Sequence, residues 1–387
     1  MTETFIERSH KSYFSRIGGA FVAVLFGLVM VVGSSVLLFW NEGRAVQTAR
    51  SLAEGRNLVV AVDAARVDPA NDGKLVHVGG EVKATAPLRD PDFRVAAAGL
   101  RLVRSVEMYQ WEEESRTESR RTIGGGEDTI TTYTYRLVWA SKRHDSSHFR
   151  HPEGHANPPM RYSSTSYTAS DATLGAFRPG EAALKLLPAS QTARIEPAHA
   201  DALRGRISGP AQVVDGRIYL GAEPSTPRAG DHRITFTIAP NGPASFIGRQ
   251  TGADLTEFQT QSGARLLMAR SGIVSAPDMF KAAEEENRVL TWVLRAAGVV
   301  VMLFGFVLIL MPLSVIVDVI PFIGSIVGFG ALLVAIVLAA VIGPAIIGLA
   351  WLWYRPLISL AVLVGGLAVA YGFRTLAARR TVPAKPA

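Results

Sequence analysis

Four blocks of apolar residues, each without a charged side chain, interrupt an otherwise polar chain. About 20 such residues cross the hydrocarbon core of a bilayer, where backbone groups must be paired within a helix. The pattern therefore predicts a multi-pass α-helical membrane protein with four spans. The spans cover residues 17–40, 296–317, 319–354 and 357–373.

The first and third blocks need separate interpretation. The first ends on Leu38-Phe39-Trp40, whereas a cleaved signal peptide requires small residues there, so we expect an uncleaved anchor. The third block would be about 54 Å long as one helix, against a hydrocarbon core of about 30 Å. We expect Pro321 to open this helix after a turn at Asp318, and Pro344 to kink or end it.

The distribution of basic residues predicts the orientation. Four spans put both termini on one side, and the tails at residues 1–16 and 374–387 both carry Arg and Lys. Basic tails favour the cytoplasm, which places residues 41–291 outside it. Four tryptophans then fall at one membrane face as an aromatic belt, namely Trp40, Trp292, Trp351 and Trp353.

The segment between the first two spans, residues 41–291, changes to a period of two. Apolar and polar residues alternate in Thr132–Trp139 and His232–Ala239, which is typical of half-buried antiparallel strands. Residues 42–54 and 279–291 have helical spacing and are predicted to extend the adjoining spans as stalks. The segment is therefore predicted to be a large inserted β-rich extracytoplasmic domain of barrel or sandwich type. Weaker strand candidates are 58–62, 75–82, 100–111, 216–220 and 264–269, and residues 116–128 are predicted to be a flexible hairpin tip.

Composition excludes several classes of protein. The net charge of +7 is dispersed, and no Lys/Arg run or nucleic-acid module is present, so we expect no nucleic-acid partner. The absence of cysteine excludes disulfides and thiol catalysis. No phosphate-binding loop, nucleophile elbow or dinucleotide fingerprint appears. We therefore expect neither an enzyme nor a cofactor.

Histidines and acids offer candidate sites that we interpret as structural. Four histidines have a spacing that one helix face could use for zinc, but Pro152 and Gly154 interrupt any such helix. We interpret this segment as a loop and predict no metal site. Glu112–Glu114 are interpreted as a strand end that meets solvent, and Asp318 as part of a turn at the lipid headgroups. The histidines are His144, His148, His151 and His155.

Gly324 and Gly328 form a pair of small residues one helical turn apart in the third span. Such pairs allow helix backbones to approach closely. The pair predicts packing either between spans or between subunits, and the sequence does not choose between them.

Short motifs recur in a fixed order along almost the whole chain, and together they resemble the transmembrane protein 43 family, also called LUMA. The resemblance implies a four-span protein with a large extracytoplasmic or lumenal domain. It further implies a protein that self-associates and organises membrane complexes, with no catalytic residues to carry over. The motifs are Asn41-Glu42-Gly43-Arg44, Ser51-Leu52-Ala53-Glu54-Gly55, Leu75-Val76-His77, Val106-Glu107-Met108-Tyr109-Gln110-Trp111, His155-Ala156-Asn157-Pro158, Leu294-Arg295-Ala296-Ala297-Gly298, Tyr354-Arg355-Pro356-Leu357 and Val382-Pro383-Ala384-Lys385.

The chain differs from the animal pattern in its short N-terminal tail, its lack of cysteine and its preference for Arg over Lys. These features suit a bacterial member, for which the equivalent location is the inner membrane with a periplasmic domain. For animal members, the resemblance implies the membranes of the endoplasmic reticulum and the inner nuclear envelope.

The leading hypothesis is a non-enzymatic membrane scaffold. Its expected partners are the lipid bilayer, further copies of itself in a homo-oligomer, and unidentified membrane or periplasmic/lumenal proteins. An oligomeric channel or transporter, with helices broken at prolines, is the alternative, and an enzyme that uses the histidine-rich loop is a third. The candidate interaction or packing residues are Tyr109, Trp111, His155, Asn157, Gly324, Gly328 and Arg355.

Overall fold

The computed structural model describes residues 2–207 and 209–380, so the motif at residues 382–385 lies outside the described residues. The chain divides into two compact units. The domain unit contains the residues up to Ser9, Ser51–Ser119 and Thr129–Ala283. The helical unit contains His10–Arg50, Arg120–Asp128 and the residues from Glu284 onward.

Four long helices contain the apolar blocks: α1 (Tyr13–Leu58), α4 (Ala276–Val317), α5 (Pro321–Tyr354) and α6 (Pro356–Arg380). Both stalk segments are helical, because α1 continues past the first block to Leu58 and α4 begins before the second at Ala276; that they join the domain to the membrane stays a prediction. Among the described residues, three helices are long and apolar enough to cross a membrane: α1, α4 and the Phe322–Tyr354 part of α5. The fourth span forms part of α6 and stays a prediction.

The prolines of α5 act differently from each other. Pro321 occupies the first turn, where its missing N–H has no partner in any helix, so the predicted opening of the helix is confirmed. Pro344 lies inside α5, which continues to Tyr354, so the helix does not end there.

The domain unit is built from two main sheets and two short helices. Its strands are β1 (Thr2–Lys11), β2 (Val60–Ala61), β3 (Leu75–Lys83), β4 (Leu88–Arg89), β5 (Ala96–Ala97), β6 (Arg101–Arg121), β7 (Glu127–Ala140), β8 (Thr165–Thr168), β9 (Thr173–Leu174), β10 (Gln191–Thr192), β11 (Ala211–Val214), β12 (Arg217–Leu220), β13 (His232–Ala239), β14 (Gly242–Thr251), β15 (Asp254–Thr256), β16 (Phe258–Gln259), β17 (Arg265–Leu266) and β18 (Met268–Ser271). The short helices are α2 (Gly180–Leu184) and α3 (His199–Leu203).

The first sheet has eight strands, ordered β1-β7-β6-β13-β12-β11 with β8 and β10 attached at β6 and β13. The second has six strands, ordered β15-β14-β3-β2 with β18 and β9 attached at β14 and β3. Both sheets contribute to one apolar core, which contains Leu102, Val106 and Phe236 from the first and Val78 and Phe246 from the second. The β-rich prediction is therefore confirmed, and the shared core indicates a sandwich.

Two local predictions differ from the structure. Residues 1–16 were predicted to be a tail, whereas Thr2–Lys11 form β1 beside β7. Residues 116–128 were predicted to be a flexible tip, whereas β6 continues to Arg121 and β7 begins at Glu127. Residues 116–121 are polar on both faces, and β1 has only the adjacent pair Phe5 and Ile6, which fall on opposite faces, so neither segment shows the alternation that marks a half-buried strand.

Candidate functional site

Two amides fix the loop after β7 onto β6 in the domain unit. The Asn157 side chain accepts a hydrogen bond from the Trp111 N–H (2.7 Å) and donates one to the Trp111 carbonyl (2.8 Å). Gln110 accepts one from the His144 N–H (2.8 Å) and donates one to the Lys142 carbonyl (2.9 Å). Asn157 thus satisfies both backbone groups of Trp111, as a neighbouring strand would. The motifs at residues 106–111 and 155–158 therefore meet in the fold.

His155 lies buried at the centre of an aromatic cluster. Its ring stacks on Tyr135 with a centroid distance of 3.9 Å and meets Trp111 edge-on at 4.7 Å. Its Nδ1 lies 2.9 Å from the His151 carbonyl. Phe5 of β1 covers the cluster, since it stacks on His151 at 4.4 Å. Aromatic pairs in such arrangements contribute about 0.5–1.5 kcal/mol each beyond the area they bury, so these contacts stabilise the packing of the loop on β6.

Tyr135 also holds a carboxylate in this cluster. Its hydroxyl donates a hydrogen bond to Glu113 Oε2 (2.5 Å) and accepts one from the His151 N–H (2.9 Å). Burial, followed by the hydrogen bond to Glu113, raises the pKa of Tyr135 to about 12. The hydroxyl is therefore a permanent donor near neutral pH.

The four histidines of the loop do not converge. His148 is largely exposed and lies 3.3 Å from Asp145, while His155 is enclosed by aromatic rings. Across residues 2–207 and 209–380, no three His, Asp or Glu side chains are arranged to hold a metal ion.

Tyr109 belongs to a half-buried patch on the same face of β6 as Trp111, two residues along the strand. Its ring lies 5.0 Å from that of Trp139, and Trp139 lies 6.2 Å from Tyr219. The Arg233 guanidinium covers Trp139 at 4.7 Å and pairs with Glu107 at 2.5 Å. We call Tyr109, Trp139, Tyr219, Arg233 and Glu107 the aromatic patch. Tyr, Trp and Arg are the residue types enriched at binding hot spots.

A buried ion pair joins α1, α4 and α5 in the helical unit. Glu42 is fully buried and accepts two hydrogen bonds from Arg295, at 2.6 and 2.8 Å. The Trp351 indole N–H donates a third, at 2.8 Å. A buried carboxylate is tolerated only with such partners.

The other residues of the motif at 41–44 bind the same helices. Asn41 donates to the Thr291 carbonyl (3.1 Å), and Arg44 donates to Asn287 Oδ1 and Thr291 Oγ1 (both 3.0 Å). At Gly43 an added Cβ would lie 2.6 Å from the Tyr354 ring, so a larger residue would require that ring to shift. This motif is therefore a clamp between helices. Asn41 and its partner Thr291 are 250 residues apart, and no local pattern in the chain indicates such a pairing.

A second buried charge cluster forms around Asp318. Its carboxylate is fully buried and pairs with Arg16 (2.5 Å) and Arg121 (2.8 Å). Arg16 also pairs with Glu127 at 3.0 Å, and the Gly124 N–H donates to the Val319 carbonyl at 3.2 Å. Asp318 was interpreted as a turn at the headgroups, and the turn is present, but the carboxylate is a buried acceptor for two guanidinium groups.

The two glycines of α5 pack within the chain. An added Cβ at Gly324 would overlap Asp318 Oδ1, and one at Gly328 would lie 3.6 Å from Ser314 of α4. The sequence left open whether these glycines pack between spans or between subunits. In the structure both glycines have neighbours within the chain. Arg355 ends α5, and its backbone N–H donates to the Trp351 carbonyl (2.8 Å).

The candidate residues therefore separate into groups. Trp111, His155 and Asn157 form one cluster, and Tyr109 lies in the aromatic patch. The glycines and Arg355 belong to the helical unit. Sequence reasoning named Asp318 as part of a turn and Glu42 as a member of a motif, but it did not predict that both are buried acceptors for arginines, although charged residues at the ends of apolar blocks are a usable signal.

Comparison with known proteins agrees with the motif order. The family model described as transmembrane protein 43 matches residues 108–356. The mouse protein of that name is 35% identical over 95% of this chain and 91% of its own length. The human protein is 35% identical over 95% of this chain and 91% of its own length. The Drosophila homolog is 26% identical over 88% of this chain and 91% of its own length. No solved structure matches. The chain is therefore an integral membrane protein that belongs to the transmembrane protein 43 family.

Proposed function

We propose that this protein is a non-enzymatic scaffold that self-associates and organises membrane protein complexes through its β-rich domain. The proposed location is the bacterial inner membrane with the domain in the periplasm. The carrying observation is the aromatic patch, in which Trp139 and Tyr109 stay half-exposed on a sheet face although the domain has a separate apolar core.

Rigidity of the neighbouring loop supports this use of the patch. Asn157 and Gln110 hold the loop to β6, and Arg233 is held in place by Glu107. A partner would therefore meet side chains that are already ordered, which reduces the entropy lost on binding.

The decisive experiment is native mass measurement of the complex, extracted from its host membrane into lipid nanodiscs. We expect a mass above that of the 41.5 kDa chain, from further copies or from a stoichiometric second protein. Tyr109→Ala and Trp139→Ala should reduce the amount of partner without lowering the unfolding temperature of the domain. Leu186→Ala, which removes an exposed apolar side chain outside the patch, is the matched control.

A lone chain in the nanodisc would contradict the scaffold proposal. Retention of every partner by both patch variants would contradict the role of the patch.

The alternative, an oligomeric channel or transporter, has less support. Apolar side chains pack between α1, α4 and α5 where a conducting path would need polar ones, and they include Leu38, Met302, Phe306, Ala335 and Ala339. Ion flux above that of empty liposomes, with this protein alone, would favour the alternative instead.

A further inference from the structure

A cleft of about 440 Å³ opens between α4 and α5 in the helical unit. Its polar lining comes from Arg121, Ser314 and Ser325. Its apolar lining includes Val307 and Leu332.

The polar and apolar parts of the cleft are separated along the helix axes. Because α4 and α5 are joined by the short turn at Asp318, Ser314 and Ser325 lie near that turn on their respective helices. Val307 and Leu332 lie seven residues farther from it, which is about 10 Å at the rise of an α-helix. The cleft is therefore polar near the turn at Asp318 and apolar toward the middle of α4 and α5. This arrangement matches a lipid, which has a polar headgroup and an apolar chain.

Arg121 supplies a positive charge at the polar end. One guanidinium nitrogen binds Asp318 Oδ1 at 2.8 Å, but Asp318 is shared with Arg16, which is more deeply buried. The Arg121 Nη2 would lie 4.0 Å from a Cβ added at Gly328, so this nitrogen faces the wall of the cleft formed by α5. A guanidinium group has five N–H donors and suits phosphate oxygens.

We propose that this cleft binds a phospholipid with a net negative headgroup. The lipid phosphate accepts hydrogen bonds from Arg121, and one acyl chain lies along the apolar part of the cleft between Val307 and Leu332. Free phosphate carries the same headgroup chemistry but lacks the chain, so the apolar half of the cleft distinguishes the two ligands. The site is independent of the aromatic patch and of the proposed scaffold function.

The test is native mass spectrometry of the full chain in detergent, titrated with phosphatidylglycerol, phosphatidylcholine or inorganic phosphate. We expect phosphatidylglycerol to remain bound at the lowest concentration, and inorganic phosphate not to displace it. Arg121→Gln should weaken its binding by about tenfold or more, as expected for loss of a charge-assisted contact. Arg120→Gln, next in the chain but outside the cleft lining, is the matched control.

A second variant tests the same site in case Arg121→Gln does not fold. Gly328→Leu fills the cleft and leaves Arg121 in place, and its Cβ meets Ser314 at an ordinary 3.6 Å. We expect it to abolish phosphatidylglycerol binding without changing the unfolding temperature. Equal binding of the two lipids, equal loss in the Arg120 and Arg121 variants, displacement by inorganic phosphate, or full binding by a folded Gly328→Leu would each overturn the proposal.

Discussion

Glu42 of α1 and Arg295 of α4 form a two-point ion pair with N–O distances of 2.6 and 2.8 Å. The glutamate is fully buried, and the arginine side chain is only 14% exposed. Loss of either partner would leave a buried charge without its counterion, and this asymmetry makes the pair sensitive to mutation.

Glu42→Gln should therefore destabilise the helical unit by about 3–5 kcal/mol. Detergent-titrated unfolding of the full chain measures the change. Glu285→Gln is the matched control, because Glu285 pairs with Arg288 on the same helix while both side chains are exposed. Exposed pairs contribute little, so a loss of similar size in both variants would contradict the clamp.

Gly324→Ala should disrupt the turn between α4 and α5. The new Cβ would overlap Asp318 Oδ1, and the carboxylate would have to leave the two arginines that hold it. Gly330→Ala lies on the same helix with no atom within 4 Å of the added Cβ, and should be tolerated. Expression level and unfolding temperature of the two variants provide the comparison, and equal values would show that Asp318 is not held against Gly324.

Asn157→Ala should lower the stability of the domain unit by about 1–3 kcal/mol, because it leaves both backbone groups of Trp111 without partners in a buried site. Thermal unfolding monitored by tryptophan fluorescence measures this. Asn71→Ala is a suitable control, since the Asn71 amide oxygen is 3.5 Å from Lys74 Nζ at the surface. An Asn157 variant as stable as wild type would remove this residue from the candidate site.

His232 should make the domain sensitive to mild acid. Burial lowers the pKa of His232, so the folded protein binds its proton less readily than the unfolded chain. Its contribution to stability is therefore complete above the unfolded value of about 6.5 and is lost as the pH falls below it. His232→Gln should flatten the dependence of unfolding temperature on pH between about 7 and 5, whereas an unchanged slope would assign the effect to other groups.

A membrane-crossing α1 would put residue 4 and the domain on opposite sides, whereas β1 pairs with β7 of the domain sheet. We expect the pairing to hold, so that residue 4 and the domain lie in the same compartment. The chain contains no cysteine, so Thr4→Cys and Ser225→Cys each introduce a single label site at an exposed position. A membrane-impermeant maleimide should label both from the same side of intact vesicles. Labelling from opposite sides would instead support the cytoplasmic tail inferred from the basic residues.

The fold was predictable wherever one face of an element is apolar. His232–Ala239 alternates cleanly and forms β13 over the same residues. By contrast, β6 continues through residues 112–121, where both faces are polar and only backbone pairing with β7 defines the strand. The alternation of apolar and polar residues shows which side chains are buried. It therefore cannot predict a strand that is held only by backbone hydrogen bonds.

The candidate site was predictable in its members but not in their contacts. Trp111 and Asn157 were selected from separate motifs, and only the fold shows that one side chain binds the backbone of the other. The small-residue spacing predicted packing between spans or between subunits, whereas the group next to Gly324 is the Asp318 carboxylate of the preceding turn. A pairwise contact across a long chain separation leaves no trace in a single sequence.

The distance between the two buried charge clusters, at Arg295 and at Asp318, defines a fixed length along the apolar helices. Along α4, Arg295 and the position of Asp318 are about 35 Å apart at the rise of an α-helix, slightly more than a typical hydrocarbon core. Because both ends are fixed by ion pairs, the helices resist adjustment by sliding. Hydrophobic mismatch must then be taken up by tilt or by the surrounding lipid, so this protein is suited to membranes of a particular thickness and should partition between membranes accordingly.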